Sequence, residues 1–216
     1  PHAEEGARSN QALRLPPGVG SDMPKLFKAW GIKYDKDKVL GDLQAGQRVQ
    51  AGVDSFGRPI ITRYIAWTSY GPENINSSDV TTSQLRLVNF GTPGYFEVEK
   101  GATAKVEPLI TSTSSSGPFD AGMVRRDPKP ADILQQFKAQ DRTYILAARV
   151  SGTVKSAFPD GPPKDDSKKA DAKKDDKKPV EKPKPHLKES AKPANLIIVA
   201  DSDFVADLFW VRTQDL

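Results

Sequence analysis

The chain of 216 residues has no cysteine, few aromatic residues and no long apolar run. Without cysteine it can form no disulfide framework, no thiolate zinc site and no cysteine nucleophile. No stretch of about 18 apolar residues offers a membrane-spanning helix, and no charged segment followed by an apolar one opens the sequence as a signal peptide. The expectation from these absences is a soluble piece with one substantial domain and long polar segments.

Most of the excess positive charge lies in one segment. Residues 164–185 hold nine Lys against six Asp or Glu, which accounts for three of the formal net charge of +4. Basic and acidic residues are interleaved there, and no aromatic residue is present to stack on a base, so no nucleic-acid partner is predicted. The composition is typical of a solvated polyampholyte. We therefore predict a disordered insertion rich in Lys, Asp and Pro over residues 161–189.

The order of elements along the chain predicts one α/β domain around this insertion. Residues 1–20 are polar and rich in Pro and Gly, which predicts a flexible N-terminal loop. Residues 21–160 and 190–216 are assigned to the domain, as a sheet with flanking helices and a strand-rich middle section. A lone strand and helix cannot bury their own apolar faces. The C-terminal elements are therefore expected to return to the sheet formed by the earlier part of the chain.

Two helices and several strands can be predicted from local patterns. The first helix is predicted to begin at a cap on Ser21 or Asp22 and to stop at Gly31. A second is predicted at "PADILQQFKAQ", where Ile133, Leu134 and Phe137 share a side. The residues expected on the apolar face of the first helix are Met23, Leu26, Phe27 and Trp30. The segment "IKYDKDKVLGD" suggests a short strand and a turn, and strand-like spacing occurs in "RPIITRYIAW", "QLRLVNF", "YFEVEK", "AKVEPLITS" and "TYILAARVSGTV".

An acidic cluster follows the most apolar strand of the chain. Residues 195–200 read as a strand that is buried on both faces of a parallel sheet, and a helix is predicted from the apolar spacing after Phe204. Asp201, Ser202 and Asp203 stand between the two, where open α/β sheets place their ligand sites. One interpretation makes Asp201 a phosphotransferase nucleophile and Asp203 its general acid beside Mg²⁺. The interpretation we favour is a helix cap, with all three residues retained as candidate ligand or partner contacts.

Other catalytic arrangements find little support in the sequence. The serine run at residues 111–116 has no histidine beside it, and the only histidines are His2 and His186. No G-x-S-x-G motif is present to position a nucleophilic serine. Two remote histidines make a poor transition-metal site. We therefore predict no catalytic residue, no metal site and no cofactor.

Five phrases, in order, resemble the extracytoplasmic domain of the gliding-motility-associated auxiliary component of ABC transporters. The resemblance runs from about Ser21 to Val211 and includes the position of the charged insertion. The phrases are "SDMPKLFKAWGIKYDKDKVLGDL", "NINSSDVTTSQLRLVNFGTPG", "VEPLITSTSSSGPFDAGMVR", "RVSGTVKSAFPDGPP" and "HLKESAKPANLIIVADSDFVADLFWV".

The resemblance implies a fold and a role. The fold would be similar to part of a class I glutamine amidotransferase-like α/β sandwich. The role would be that of a non-catalytic binding or scaffold domain at the periplasmic face of the inner membrane, in a membrane-anchored parent. Its implied partners are ABC permease and ATPase subunits, together with a protein or polymer ligand. The alternative is a phosphotransferase or hydrolase that uses Asp201 and Asp203.

Overall fold

Short apolar segments separated by turns build a mixed α/β, strand-rich structure. The computed structural model describes residues 22–125, 128–161 and 186–210, and the predicted loop at residues 1–20 lies outside them. The helices are α1 (Pro24–Trp30), α2 (Gly122–Arg125), α3 (Pro130–Gln136) and α4 (Asp207–Trp210), with 3-10 turns at Pro72–Asn74 and Asp203–Val205. The strands are β1 (Ile32–Tyr34), β2 (Lys38–Asp42), β3 (Gly46–Val53), β4 (Pro59–Tyr70), β5 (Val88–Gly91), β6 (Phe96–Val98), β7 (Lys105–Thr111), β8 (Ser116–Asp120), β9 (Ile145–Gly152) and β10 (Ala194–Val199).

The strands form three antiparallel sheets. The largest has the order β1-β6-β9-β10, and β7 also pairs with β9. The second sheet is β2-β8 and the third is β3-β4-β5. Every pairing between these named strands is antiparallel. The buried centre where the three sheets meet contains Leu40, Tyr70, Phe90, Leu109, Tyr144 and Leu146.

The strand predicted near residue 195 exists, but the prediction of a parallel, doubly buried strand is wrong. β10 pairs with β9 in antiparallel register over its whole length. It stands at the end of the strand order, and Leu196 and Ile197 are 42% and 47% exposed. A short apolar run does not distinguish a central strand from an apolar edge strand, because both lack the alternation that marks a half-buried strand.

The N-cap of the first helix differs from the predicted Ser21 or Asp22. Met23 stands at the N-cap of α1 with φ of 37°, without a side-chain capping hydrogen bond. Asp22 therefore does not cap the helix, and Ser21 lies outside the described residues. Gly31 ends the helix with φ of 76°, as predicted, in the left-handed conformation that glycine adopts without strain. Met23 is 47% exposed and does not share the apolar face; the buried residues of α1 are Phe27 and Trp30.

Two strands, β3 and β8, were missed by the sequence patterns. Each segment predicted to form a strand overlaps one, and α3 falls within the second predicted helix. The segment "IKYDKDKVLGD", predicted as one short strand and a turn, holds both β1 and β2. β3 was missed because "GQRVQAGV" is polar and largely exposed, so it carries little apolar alternation. β8 was missed because "SGPFD" contains Gly and Pro, which are typical of turns.

An ion pair holds the loop between β4 and β5 against the largest sheet. Arg149 of β9 donates to Asp79 through Nε at 2.6 Å and through Nη2 at 2.7 Å. The two side chains are only 14% and 13% exposed, and Thr81 donates its N–H and hydroxyl to the same carboxylate. The hydrogen bonds from Arg149 hold the pKa of Asp79 well below its usual range. The loop is thus fixed by a bidentate charge-assisted contact.

The two ends of the charged insertion lie side by side. Lys155 and Glu189 form an isolated antiparallel bridge, and His186 contacts the carbonyl oxygen of Phe158. Residues 186–189, which the sequence placed in the insertion, therefore pair with the chain that enters it. Residues 162–185 lie outside the described part of the chain, so their predicted disorder stays a prediction.

Candidate functional site

Asp201 joins the end of β10 to the end of β5. Its Oδ2 accepts the backbone N–H of Gly91 at 2.8 Å, and its Oδ1 accepts the backbone N–H of Asp203 at 2.8 Å. Asp201 is 6% exposed and Asp203 is 3% exposed. Each oxygen of the Asp201 carboxylate therefore holds a backbone amide, one in a neighbouring strand and one in its own turn.

The turn at the end of β5 packs closely against this acidic segment. A Cβ atom at Gly91 would lie 2.5 Å from a ring carbon of Phe209, so only glycine allows this approach without displacing the ring. Thr92 is buried with φ of 53°, a conformation uncommon for residues other than glycine. Gly94 donates its N–H to the carbonyl oxygen of Ala200 at 2.7 Å. The turn at residues 91–94 and the segment at residues 200–203 are consequently one hydrogen-bonded unit.

Ser202 and the residues after it differ from the predicted continuous helix. Ser202 is exposed, stands before the 3-10 turn Asp203–Val205 and makes no side-chain capping hydrogen bond. Ala206 then adopts an extended conformation with ψ of 139°, which separates this turn from α4. Phe204 stacks on Phe90 with 6.3 Å between ring centroids. The local turn of Asp201 and this aromatic anchoring outweigh the helical spacing of the apolar residues.

The geometry of the acidic segment suits a structural connection. A carboxylate nucleophile needs an oxygen that can reach a substrate, whereas both oxygens of Asp201 are buried and occupied by amides. Within the described ranges, no group of three or more His, Asp or Glu side chains is placed to hold a metal ion. Of the three predicted contact residues, only Ser202 is exposed. Their role as ligand or partner contacts stays a prediction.

Asp42 is a second buried carboxylate, which no sequence pattern indicated. It is fully buried and accepts backbone N–H groups from Gln44 at 2.9 Å, Ala45 at 3.0 Å and Thr113 at 2.8 Å. The hydroxyls of Thr113 and Tyr70 donate to it at 2.7 Å and 3.3 Å. Burial, and then the nearby charge of Asp42, raise the pKa of Tyr70 well above its usual value. Asp42 thus fixes the β2–β3 turn to the segment that leads into β8.

The serine run forms part of the same buried polar cluster. The hydroxyls of Ser112 and Ser116 lie 2.7 Å apart, and both residues are fully buried. Ser112 accepts the backbone N–H of Tyr144 at 2.8 Å, and Ser116 donates to the carbonyl oxygen of Thr113 at 2.8 Å. His186 lies at the end of the insertion, and His2 is outside the described residues. These serines connect β7, β8 and β9 by hydrogen bonds.

An open groove of about 710 Å³ lies beside α1, β1 and β6. Its walls include the aromatic rings of Phe27, Tyr34 and Tyr95, which pack next to charges of both signs. Burial, and then the charge of Glu97, raise the pKa of Tyr95. Its charged lining residues are Asp22, Lys28, Lys33, Asp35, Lys36, Asp37, Glu97 and Glu99. The groove offers mixed charge and aromatic contacts rather than a pocket for one small anion.

Comparisons with known proteins place this chain in a family. In the parts of the chain that the structure describes, no helix has the length and apolar character needed to cross a membrane. Curated proteins and solved structures give no match. A family model described as an ABC-type uncharacterized transport system matches residues 2–216, and the chain therefore belongs to that family.

Proposed function

We propose that this domain is a non-catalytic extracytoplasmic accessory domain of an ABC transport system of the gliding-motility type. The observation that carries the proposal is the family match over residues 2–216, which covers almost the whole chain. The domain would act as a binding or scaffold component for a protein or a transported polymer. Its proposed partners are the permease and ATPase subunits, and its proposed location is the periplasmic face of the inner membrane.

The arrangement of Asp201 supports the non-catalytic part of the proposal. Its two oxygens accept hydrogen bonds from the backbone N–H groups of Gly91 and Asp203, and the first of these bonds joins the end of β10 to β5. The resemblance also implies a class I glutamine amidotransferase-like sandwich for the family's domain. We keep that fold as part of the proposal.

The non-catalytic role can be tested by phosphate ester hydrolysis. We expect the purified chain with Mg²⁺ to hydrolyse a generic aryl phosphate no faster than buffer with Mg²⁺ alone. Ser202→Ala serves as a matched variant, because Ser202 is exposed in the same segment. Hydrolysis that survives Ser202→Ala and disappears with Asp201→Asn would contradict the proposal and favour the phosphotransferase alternative.

The proposed location can be tested by cysteine labelling in the native host. The chain contains no cysteine, so a single Gln84→Cys variant at an exposed loop position carries the only thiol in these residues. We expect a membrane-impermeant maleimide to label this variant in cells whose outer membrane alone has been permeabilised. The unsubstituted chain is the control for background labelling. Labelling that requires disruption of the inner membrane would contradict the extracytoplasmic location.

A further inference from the structure

The far end of the β3–β4 hairpin projects without a third strand beside it. We call residues 49–62 the arm. β5 pairs with β4 only over Trp67–Tyr70, so its contacts end before the arm begins. The arm therefore consists of two strands and their turn, and over residues 49–62 each strand is described as pairing with the other strand alone, while Val49 at the base also packs against the core. Its exposed apolar side chains are Val53 at 59%, Phe56 at 82%, Ile60 at 47% and Ile61 at 57% exposure.

The arm is poor in charge although it is highly exposed. Charged residues make up 28% of the chain, but Asp54 and Arg58 are the only ones among residues 49–62. These two form an ion pair at 2.8 Å, so the arm has no net charge. Exposed apolar surface with so little charge marks an interaction site more often than an ordinary solvated surface.

The turn at the tip pairs most of its backbone N–H groups within itself. Asp54 Oδ1 accepts the N–H groups of Phe56 at 2.8 Å and of Arg58 at 2.9 Å. Asp54 donates its N–H to the carbonyl oxygen of Arg58 at 2.9 Å, and Gly57 donates to that of Asp54 at 3.0 Å. Amide groups that enter an apolar medium must be paired internally, because hydrocarbon offers no hydrogen-bond partner. Four of the five N–H groups of residues 54–58 are paired in this way, which lowers the cost of moving the tip out of water.

The apolar side chains lie on both faces of the arm. Ile60 and Ile61 are adjacent in one strand, so they point to opposite faces, and both are about half exposed. A groove on a protein would cover one face of such a ribbon. A lipid phase surrounds an inserted ribbon on every side, which matches this distribution.

The base of the arm carries positive charge. Arg48 and Arg63 are directly opposite one another in the β3–β4 register, an arrangement that like charges make unfavourable. Arg63 donates to the carbonyl oxygen of Leu43, whereas Arg48 is exposed. An anionic group at this position would relieve the repulsion.

We propose that the arm inserts into the interfacial region of a bilayer that contains anionic lipids. Phe56, Val53, Ile60 and Ile61 enter the boundary between headgroups and acyl chains, and Arg48 contacts lipid phosphates. Arg58, whose guanidinium lies 5.3 Å from the ring centroid of Phe56, extends its charge towards the headgroups. This proposal concerns the β3–β4 hairpin alone and does not depend on the accessory role.

Vesicle flotation tests the proposal with vesicles of phosphatidylcholine alone and of phosphatidylcholine with phosphatidylglycerol. We expect the chain of residues 1–216 to bind the anionic vesicles more tightly. The double variant Phe56→Ser with Ile61→Ser should bind about tenfold or more weakly, because two exposed apolar side chains no longer enter the interface. Val80→Ser removes an 87% exposed side chain outside the arm and should leave binding unchanged. Arg48→Gln should weaken binding to anionic vesicles about fivefold and reduce its salt dependence.

Two further measurements separate insertion from a loss of folding and from adsorption at the vesicle surface. Thermal unfolding should show the same midpoint for the native chain and the double variant. If the midpoint of the double variant falls, the single variant Phe56→Ser is used in its place. A Phe56→Trp variant bound to vesicles should lose its added fluorescence to lipids brominated in the acyl chain. No binding of the native chain at low salt, equal binding of the double variant, or bound Phe56→Trp without quenching would overturn the proposal. A dimer that the double variant converts to a monomer would overturn it too, since a second copy would then cover the arm.

Discussion

At the scale of single residues, two buried carboxylates connect segments that are distant in the sequence. Asp201 accepts an amide from Gly91, 110 residues earlier, and Asp42 accepts hydrogen bonds from Thr113, 71 residues later. Each carboxylate accepts backbone N–H groups, and such charge-assisted hydrogen bonds are stronger than those between neutral groups. Their value to the fold can be measured by removing one acceptor oxygen at a time.

We predict that Asp201→Asn lowers the free energy of unfolding by about 1–3 kcal/mol. Both oxygens of Asp201 accept amides, so the NH₂ group of Asn must face one N–H donor and leave it without an acceptor. Ser202→Ala is the matched control and should change stability little, because Ser202 is exposed and makes no capping hydrogen bond. Urea unfolding followed by circular dichroism measures both. Equal stability of Asp201→Asn and the native chain would show that the two hydrogen bonds contribute nothing.

Part of this site could be predicted from the sequence. The position of Asp201, Ser202 and Asp203 after a strand was predicted correctly, because apolar runs and polar punctuation are local signals. The hydrogen bond to Gly91 could not be predicted, since nothing local indicates which strand end meets β10. Asp42 was missed for the same reason: one Asp after "KVLG" has no motif, and Thr113 and Tyr70 reach it only in the folded chain.

At the scale of elements, the loop between β4 and β5 depends on the ion pair between Arg149 and Asp79. The folded-state pKa of Asp79 is lowered by Arg149, relative to an unfolded value of about 3.9. A lowered pKa in the folded state stabilises the fold above the unfolded pKa and loses this contribution as the pH falls through the folded pKa. The stabilisation is therefore present at neutral pH and is lost in acid, below about pH 4.

We predict that Asp79→Asn destabilises the chain at pH 7 and that this difference from the native chain shrinks below about pH 4. The measurement is urea unfolding at a series of pH values. Asp160→Asn, at an exposed aspartate outside the loop, is the control and should not reproduce this pattern. A deficit of Asp79→Asn that stays constant into acid would contradict the electrostatic role of the pair.

Local sequence patterns predict some of the helices and strands but not how the strands pair. α1, α3 and most strands could be predicted, because Gly31, Pro130 and apolar spacing act locally. The antiparallel position of β10 could not, since its apolar run fits an edge strand as well as a central one. β3 was missed because its outer half belongs to the exposed arm and lacks a buried face.

At the scale of the whole molecule, the charged insertion is predicted to be dispensable for stability. Because Phe158 and His186 already lie in contact, a short Gly-Ser link can replace residues 162–185 without straining either end. We expect the thermal midpoint of this deletion variant to stay within a few degrees of the native value. A deletion of residues 194–199, which removes the partner of β9, is the contrasting variant and should unfold or aggregate. A large fall of the midpoint in the first variant would show that the insertion packs on the domain.

Affinity purification of the tagged parent protein from detergent-solubilised membranes of its native host tests the accessory role most directly. The proposed role predicts that the permease and ATPase subunits of one ABC transporter are recovered with it at a constant ratio, as identified by mass spectrometry. Asp201→Asn should retain them wherever the variant folds, because the proposed role needs no reaction at Asp201. Recovery of the parent protein without any ABC transporter subunit, from membranes in which those subunits are detected, would contradict the role.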